Sequence, residues 1–295
     1  MGSVSAPSGR GFVIEDHPEG RTLVVTGPWT KAAEAALQHG DVDALWLNYA
    51  RGYCEADLSF VEAWPIKRLL VLDRSITDLT PLGRLGRTLE DLSFQVASGT
   101  PIDLAELPRL RALAGGWDEI RETLHAPEYL STLVVLDYDD ADLDPLTVQP
   151  SLQNVQLKVA PKLQTLQGIA GFPTLTSLKI AAARRLRDLD AASSVGATLR
   201  ELDLEGCAHV YDVDVLSTLS ELRHLGISDC GRIPSIKAVG DLALLEWFYA
   251  WGSTRVEDGD LSPLLRLTRL KEIRMRDRRE YQPKLAEVKQ HLGCA

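Results

Sequence analysis

Apolar residues along this chain recur in short clusters of one form, Leu199-x-x-Leu202-x-Leu204-x-x-Cys207 and, one period later, Leu222-x-x-Leu225-x-Ile227-x-x-Cys230. Alternation within Leu202-Asp203-Leu204 predicts a short strand whose leucines point inward while Asp203 points out of the sheet. The leading leucine returns at Leu89, Leu110, Leu130, Leu152, Leu175, Leu199, Leu222, Leu245 and Leu270, in steps of about 20 to 25 residues, the scale of a stacked repeat. Upstream, Val42-x-x-Leu45-x-Leu47 and the looser Ile66-x-x-x-Leu70-x-Leu72 read as earlier turns of the same array. Behind the strands the apolar spacing changes to three, as in Ile76-x-x-Leu79-x-x-Leu82, Val213-x-x-Leu216-x-x-Leu219, Ile236-x-x-Val239-x-x-Leu242 and Leu261-x-x-Leu264-x-x-Leu267. That spacing predicts short helical or 3₁₀ returns. Roughly ten or eleven units then fill residues 42–277.

These units resemble the leucine-rich repeat family. The cysteine-bearing units over 199–242 are similar to those of ribonuclease inhibitor-like proteins. Ile76-Thr77-Asp78-Leu79-Thr80-Pro81-Leu82, following Leu70-x-Leu72, is similar to bacterial internalin-type units. The resemblance implies an α/β solenoid, a horseshoe with a concave parallel sheet and convex short helices or 3₁₀ turns, whose variable side chains bind partners. It also implies that Cys207 and Cys230 bond to the backbone of the turning loop. The unit Leu110-x-x-Leu113-x-Gly115 lacks the third apolar residue, which leaves the strand register open over residues 113–140.

Both ends of the array need covering, because a terminal repeat otherwise exposes an apolar edge. Phe12-Val13-Ile14, the turn around His17-Pro18-Glu19-Gly20, and Thr22-Leu23-Val24-Val25 predict a hairpin. Lys31 to Leu37 predicts a helix with Thr30 as N-cap and Gly40 as its stop. Residues 1–41 are thus expected to form an N-terminal cap of hairpin plus helix, and residues 278–295 a C-terminal cap helix running from Pro283 to Leu292.

With 295 residues, 45% of them hydrophobic and 25% charged, the chain is large enough to bury a continuous core. No stretch has the apolar length of a membrane span, and Met1-Gly2-Ser3-Val4-Ser5-Ala6 shows neither a signal region nor a myristoylation pattern. Cytoplasmic residence without membrane association is expected. The four cysteines, Cys54, Cys207, Cys230 and Cys294, are too scattered for a disulfide framework. A disulfide or shared metal between Cys207 and Cys230 would suit the strand spacing, but no CxxC or paired His accompanies them, so a structural role is the better reading. The net charge of −10 leaves only two small basic groups, Arg184, Arg185 and Arg187, and Arg274, Arg276, Arg278 and Arg279. Nucleic acid, which requires an extended basic stripe, is not expected as the direct partner. The acidity would instead steer a basic protein.

Outward strand positions supply the candidate site. Early units present Ala44, Trp46 and Asn48, then Leu69, Val71 and Asp73, then Asp91, Ser93 and Gln95, with Trp46 a candidate contact or a residue packed under the cap. The C-terminal units present Glu201, Asp203 and Glu205, then His224, Gly226 and Ser228, then Trp247, Tyr249 and Trp251, then Glu272, Arg274 and Arg276. Trp, Tyr and Arg are the residues most often found as interface anchors. Because Leu244, Leu245 and Phe248 are all apolar, a register one residue different would turn the rings into the core. The acidic run Asp137, Asp139, Asp140, Asp142 and Asp144 lacks the glycine of a calcium loop and reads as a solvated strand exit. No nucleophile elbow, phosphate loop or metal-ligand spacing is present, so neither cofactor nor metal is expected.

The function this supports is a non-catalytic protein-binding module. The similarity to ribonuclease inhibitor and the acidity suggest an inhibitor or immunity-type protein occluding a basic partner. There Trp247, Tyr249 and Trp251 would act as anchors, with Glu201, Asp203 and Glu205 meeting basic groups and Arg274 and Arg276 meeting acidic ones. A recognition or scaffolding subunit of a larger complex is the alternative, and an enzyme using the His224 region a third.

Overall fold

The computed structural model describes residues 11–40, 42–55 and 57–293; Cys294 and the first six residues lie outside them. The chain divides into two compact units, Met1–Thr132 and Leu133–Ala295.

In the first unit, β1 (Phe12–His17) and β2 (Gly20–Val25) form the expected antiparallel hairpin. Helix α1 (Lys31–Gln38) follows, its Thr30 hydroxyl accepting from the Ala33 N–H at 3.2 Å and its Ala33 and Leu37 turned inward. Strand β2 then lies parallel to β3 (Ala44–Asn48), with Leu23 opposite Leu45. The hairpin thereby satisfies the backbone edge of the first repeat. Strands β4 (Arg68–Leu72), β5 (Asp91–Gln95) and β6 (Ala112–Gly116) add on in parallel.

Pairing corrects the reading of β4. Leu69 stands opposite Leu45 and Val71 opposite Leu47, and both are buried, at 2% and 0% exposure. The repeat is therefore Ile66-x-x-Leu69-x-Val71 at the ordinary spacing, and Arg68, Leu70 and Leu72 face outward. The apolar run Leu69–Leu72 admits either alternation when read alone, and only the neighbouring strand decides between them. The residue missing from the next repeat also has an explanation. At Gly115 a β-carbon would lie 2.6 Å from Phe94 Cζ and 3.2 Å from Ile120 Cγ2, so the large Phe94 of β5 and Ile120 of the short helix α2 (Trp117–Ile120) fill that place.

The second unit carries β7 (Thr132–Leu136), β8 (Asn154–Leu157), β9 (Ser177–Ala181), β10 (Glu201–Glu205) and β11 (His224–Ser228), followed by β13 (Trp247–Ala250) and β15 (Glu272–Met275), in that order across the sheet. The short β12 (Arg232–Ile233) and β14 (Arg255–Val256) pair separately on its flank. Leu178, Leu202, Leu225 and Phe248 align across β9, β10, β11 and β13, all at 0% exposure. Helix α3 (Leu285–Leu292) ends the unit, beginning two residues after Pro283.

Two recurring sets of hydrogen bonds fix the turns of the second unit, and the first of them joins successive rungs. Buried Cys207 donates through Sγ to the Ile180 carbonyl at 3.8 Å, Cys230 to the Leu204 carbonyl at 3.3 Å, and the Thr254 hydroxyl donates to the Ile227 carbonyl. Both cysteines are free thiols, and the Cys207 neighbour together with burial pushes the Cys230 thiol far above its ordinary range. The other set is acidic. Ahead of the 3₁₀ returns, the N–H of Asp144, Asp190, Asp214 and Ser262 donates to the carboxylate two residues earlier, on Asp142, Asp188, Asp212 and Asp260, at 2.8–3.0 Å. Asp78 and Asp103 do the same in the first unit, at 2.8 and 3.0 Å. These are Asx turns, in which the side chain supplies the acceptor the entering backbone lacks. Part of the chain's negative charge is thus architectural.

Replacing Asp212 with Ala should cost about 1 kcal/mol in denaturant unfolding, the scale of a lost cap, while Asn should retain most of it. Gly115→Val should destabilise by about 1–3 kcal/mol through overpacking, and combining it with Phe94→Leu should recover part of that loss. Equal costs in both backgrounds would show that Phe94 does not occupy the Gly115 place.

Candidate functional site

Parallel register sorts the outward side chains of the second unit into rows. One row runs Ser177, Glu201, His224, Trp247, Glu272, and the next runs Lys179, Asp203, Gly226, Tyr249, Arg274. Leu245, Phe248 and Ala250 are buried at 0–1%, so Trp247, Tyr249 and Trp251 turn out of the core. Trp247 and Tyr249 are half-buried among their neighbours, and Trp251 is 55% exposed.

The rings are held by ions of the same chain. Lys271 Nζ lies 4.9 Å from the Trp247 ring centre and Arg274 Cζ lies 4.8 Å from that of Tyr249, both within cation–π range. Lys271 is itself paired with Glu246, which Arg223 also approaches at 3.5 Å. The Tyr249 hydroxyl donates to Glu272 Oε2 at 2.8 Å, and Arg274 Nε donates to Glu272 Oε1 at 2.7 Å. His224 meets Tyr249 edge-on at 4.9 Å and tilts toward Trp247 at 6.5 Å. Burial and the Glu272 carboxylate push the Tyr249 phenol up, while Arg274 holds the Glu272 carboxyl below its usual range. Lys271 likewise holds Glu246 low.

The acidic rung is divided. Glu201 accepts from Lys179 at 2.9 Å and from Ser177 at 2.7 Å. Its burial acts to raise the carboxyl, but these bonds outweigh it and the net shift is downward. Asp203 and Glu205 form no ion pair among the described residues. A β-carbon at Gly226 would lie 2.0 Å from Asp203 Oδ1, so this glycine admits the Asp203 carboxylate between β10 and β13. Two hollows meet at Tyr249. One, of about 400 Å³, reaches His224 and Trp247, and the other, of about 490 Å³, reaches Trp251, Arg274 and Lys289. Arg276 is exposed beyond them.

Trp46 belongs to the first unit, where its ring stacks on His17 of the hairpin at 5.2 Å and lines a hollow with Arg68 and Asp91. Burial raises the Asp91 carboxyl against the opposing pull of Arg68. Trp46 is therefore a hairpin contact as well as an outward residue. The sequence reading missed Lys271 and Glu246, which stand directly ahead of their strands, outside the alternating positions; their shared place in successive repeats was the available signal. Of the acidic run, Asp139 pairs with Lys162 at 2.8 Å and Asp142 is a turn acceptor. Among the described residues, no group of three or more His, Cys, Asp or Glu is placed to hold a metal ion, and no helix is long and apolar enough to cross a membrane.

No family model matches the sequence, and no curated protein matches it either. Solved structures do. An internalin, InlF from Listeria monocytogenes, shares 21% identity over 68% of this chain and 57% of its own, at a TM-score of 0.53. TLR13, solved in complex with ssRNA13, shares 17% identity over 79% of this chain and 38% of its own, at a TM-score of 0.51. The chain thus spans little more than half of the one and well under half of the other. A Leptospira interrogans LRR protein shares 15% identity over 84% of this chain and 64% of its own, at a TM-score of 0.42. In-register parallel strands, a buried apolar pair on most rungs and 3₁₀ returns behind them, with the likeness to InlF and TLR13, give the chain a leucine-rich repeat fold.

Proposed function

We propose that the outward sheet face of the second unit, at its C-terminal rungs, grips another protein. The observation that carries this is the presentation of Trp247, Tyr249 and Trp251 on one strand, the first two already fixed by Lys271, Arg274 and Glu272. Large rings with little rotational freedom left to lose are the side chains from which binding hot spots are built. The strand's buried alternation is complete without them, so core packing does not account for their position.

We further propose that the partner is basic at its point of contact and that binding occludes it, as an inhibitor or immunity-type protein does. Asp203 and Glu205 carry this part, since Glu201 and Arg274 already have partners within the chain. Arg276 remains available to an acidic group at the rim. His224 serves as a ring contact, its neighbours being the two aromatic side chains rather than a nucleophile.

The test starts with the whole chain as bait, the captured protein being identified and then titrated. Trp247→Ala combined with Tyr249→Ala should weaken the purified complex by at least about 2 kcal/mol, close to thirtyfold. Unchanged affinity in a folded variant removes the anchor assignment. Asp203→Lys with Glu205→Lys should slow association and flatten its salt dependence. A partner that keeps its own activity when saturated overturns occlusion while leaving binding in place.

Acid titration tests the pins. The Glu246 and Glu272 carboxyls are depressed, so their contribution is complete above the ordinary glutamate range and is lost only as pH falls through the lowered folded values. Thermal stability followed from neutral pH downward should therefore decline at the acid end, and Glu272→Gln should make that decline shallower. An identical acid profile would show that Glu272 pins nothing.

A further inference from the structure

The flank of the second unit, away from the outward sheet face, carries a second and independent feature. Lys162, Arg185, Arg232 and Arg255 each stand directly ahead of a fully buried residue, Leu163, Leu186, Ile233 and Val256. They occupy the same place on their rungs, and three of them are neutralised. Lys162 meets Asp139 at 2.8 Å, Arg232 meets Glu257 at 3.2 Å and Arg255 meets Glu280 at 3.0 Å. Arg185 has no such partner among the described residues. Glu257 follows Val256 on the rung after Arg232, but the corresponding residue after Arg185, following Val210, is Tyr211.

Arg187, two residues on, is also without an ion pair among the described residues. Its sequence neighbour Asp188 is a turn acceptor, taking the Asp190 N–H at 2.9 Å and the Thr165 hydroxyl at 3.5 Å, as Asp212 accepts from the Asp214 N–H at 2.9 Å. Arg185 and Arg187 line one hollow of about 360 Å³ together with Gln164, His209 and Tyr211. Tyr211 is 60% exposed, and the His209 ring is tethered through Nδ1 to the Arg184 carbonyl. Two guanidiniums without an ion pair among the described residues, an amide, an imidazole and an open ring thus converge in a chain of net charge −10.

We propose that this hollow binds a phosphate monoester carried on, or close to, a planar ring. A single guanidinium satisfies a carboxylate through a two-pronged pair, whereas two guanidiniums with further donors match the three terminal oxygens and double charge of a phosphate monoester. Tyr211 offers a face on which the attached ring stacks. A phosphorylated aromatic side chain and a nucleoside monophosphate share this chemistry.

Calorimetric titration of the full chain at low salt with phenyl phosphate, adenosine monophosphate, benzoate and phenol tests the assignment. Saturable binding of either phosphate ester is expected, with benzoate and phenol at least about tenfold weaker; which ester binds separates the two sources. Arg185→Ala and Arg187→Ala should each weaken the ester by about tenfold or more, Arg187→Lys by less, and Arg232→Ala not at all. Thermal melts confirm that these exposed replacements leave the fold intact. Absence of saturable ester binding, benzoate binding as tightly, or full affinity in both alanine variants would overturn the proposal.

Discussion

Everything in this chain depends on the register between neighbouring parallel strands. The strand of most repeats contributes two inward side chains, and hydrogen bonding to the next strand stacks Leu202 on Leu225 and Leu204 on Ile227, excluding water from an apolar column in the second unit. A one-residue slip would exchange this column with the outward row, placing Asp203 and Glu205 in the core at a prohibitive desolvation cost. In the first unit, where a strand lacks an inward side chain at Gly115, a neighbouring rung's Phe94 fills the space. Packing therefore selects total volume along the column rather than one residue type at each place.

The same register makes the outward rows chemically free. Because folding makes no apolar demand of them, consecutive rungs can place Tyr249 between Gly226 and Arg274, and Trp247 between His224 and Glu272. Rings and ions then meet at van der Waals range without any local sequence motif. Charge is allotted by position as well. Aspartates ahead of the 3₁₀ returns close turns, and carboxylates on the flank neutralise cations of adjacent rungs. A net charge thus says little about a surface until these internal commitments are subtracted. Asp203 and Glu205 on the sheet, and Arg185 and Arg187 on the flank, are among the charges the subtraction leaves.

How far each feature was legible follows from its range along the chain. The leucine period, the spacing of three in the returns, and the hairpin and helix near the N-terminus are local patterns, visible in Leu199 to Cys207 or Thr30 to Leu37. The outward position of Trp247, Tyr249 and Trp251 was also legible, since Leu245-x-x-Phe248 repeats Leu222-x-x-Leu225. The alternation of β4 was not, because Leu69, Leu70, Val71 and Leu72 are all apolar and carry no internal phase.

The amino-acid sequence alone determined that the backbone winds in repeats and which side chains most rungs turn inward, because burial imposes a short-range periodicity that each unit writes in full. Only the tertiary structure decided which charges survive unpaired, that Lys271 and Arg274 brace the aromatic strand, and that Arg185 lacks the carboxylate its counterparts possess. Those outcomes rest on side chains some two dozen positions apart, brought together by stacking, and no single repeat holds the information that pairs them.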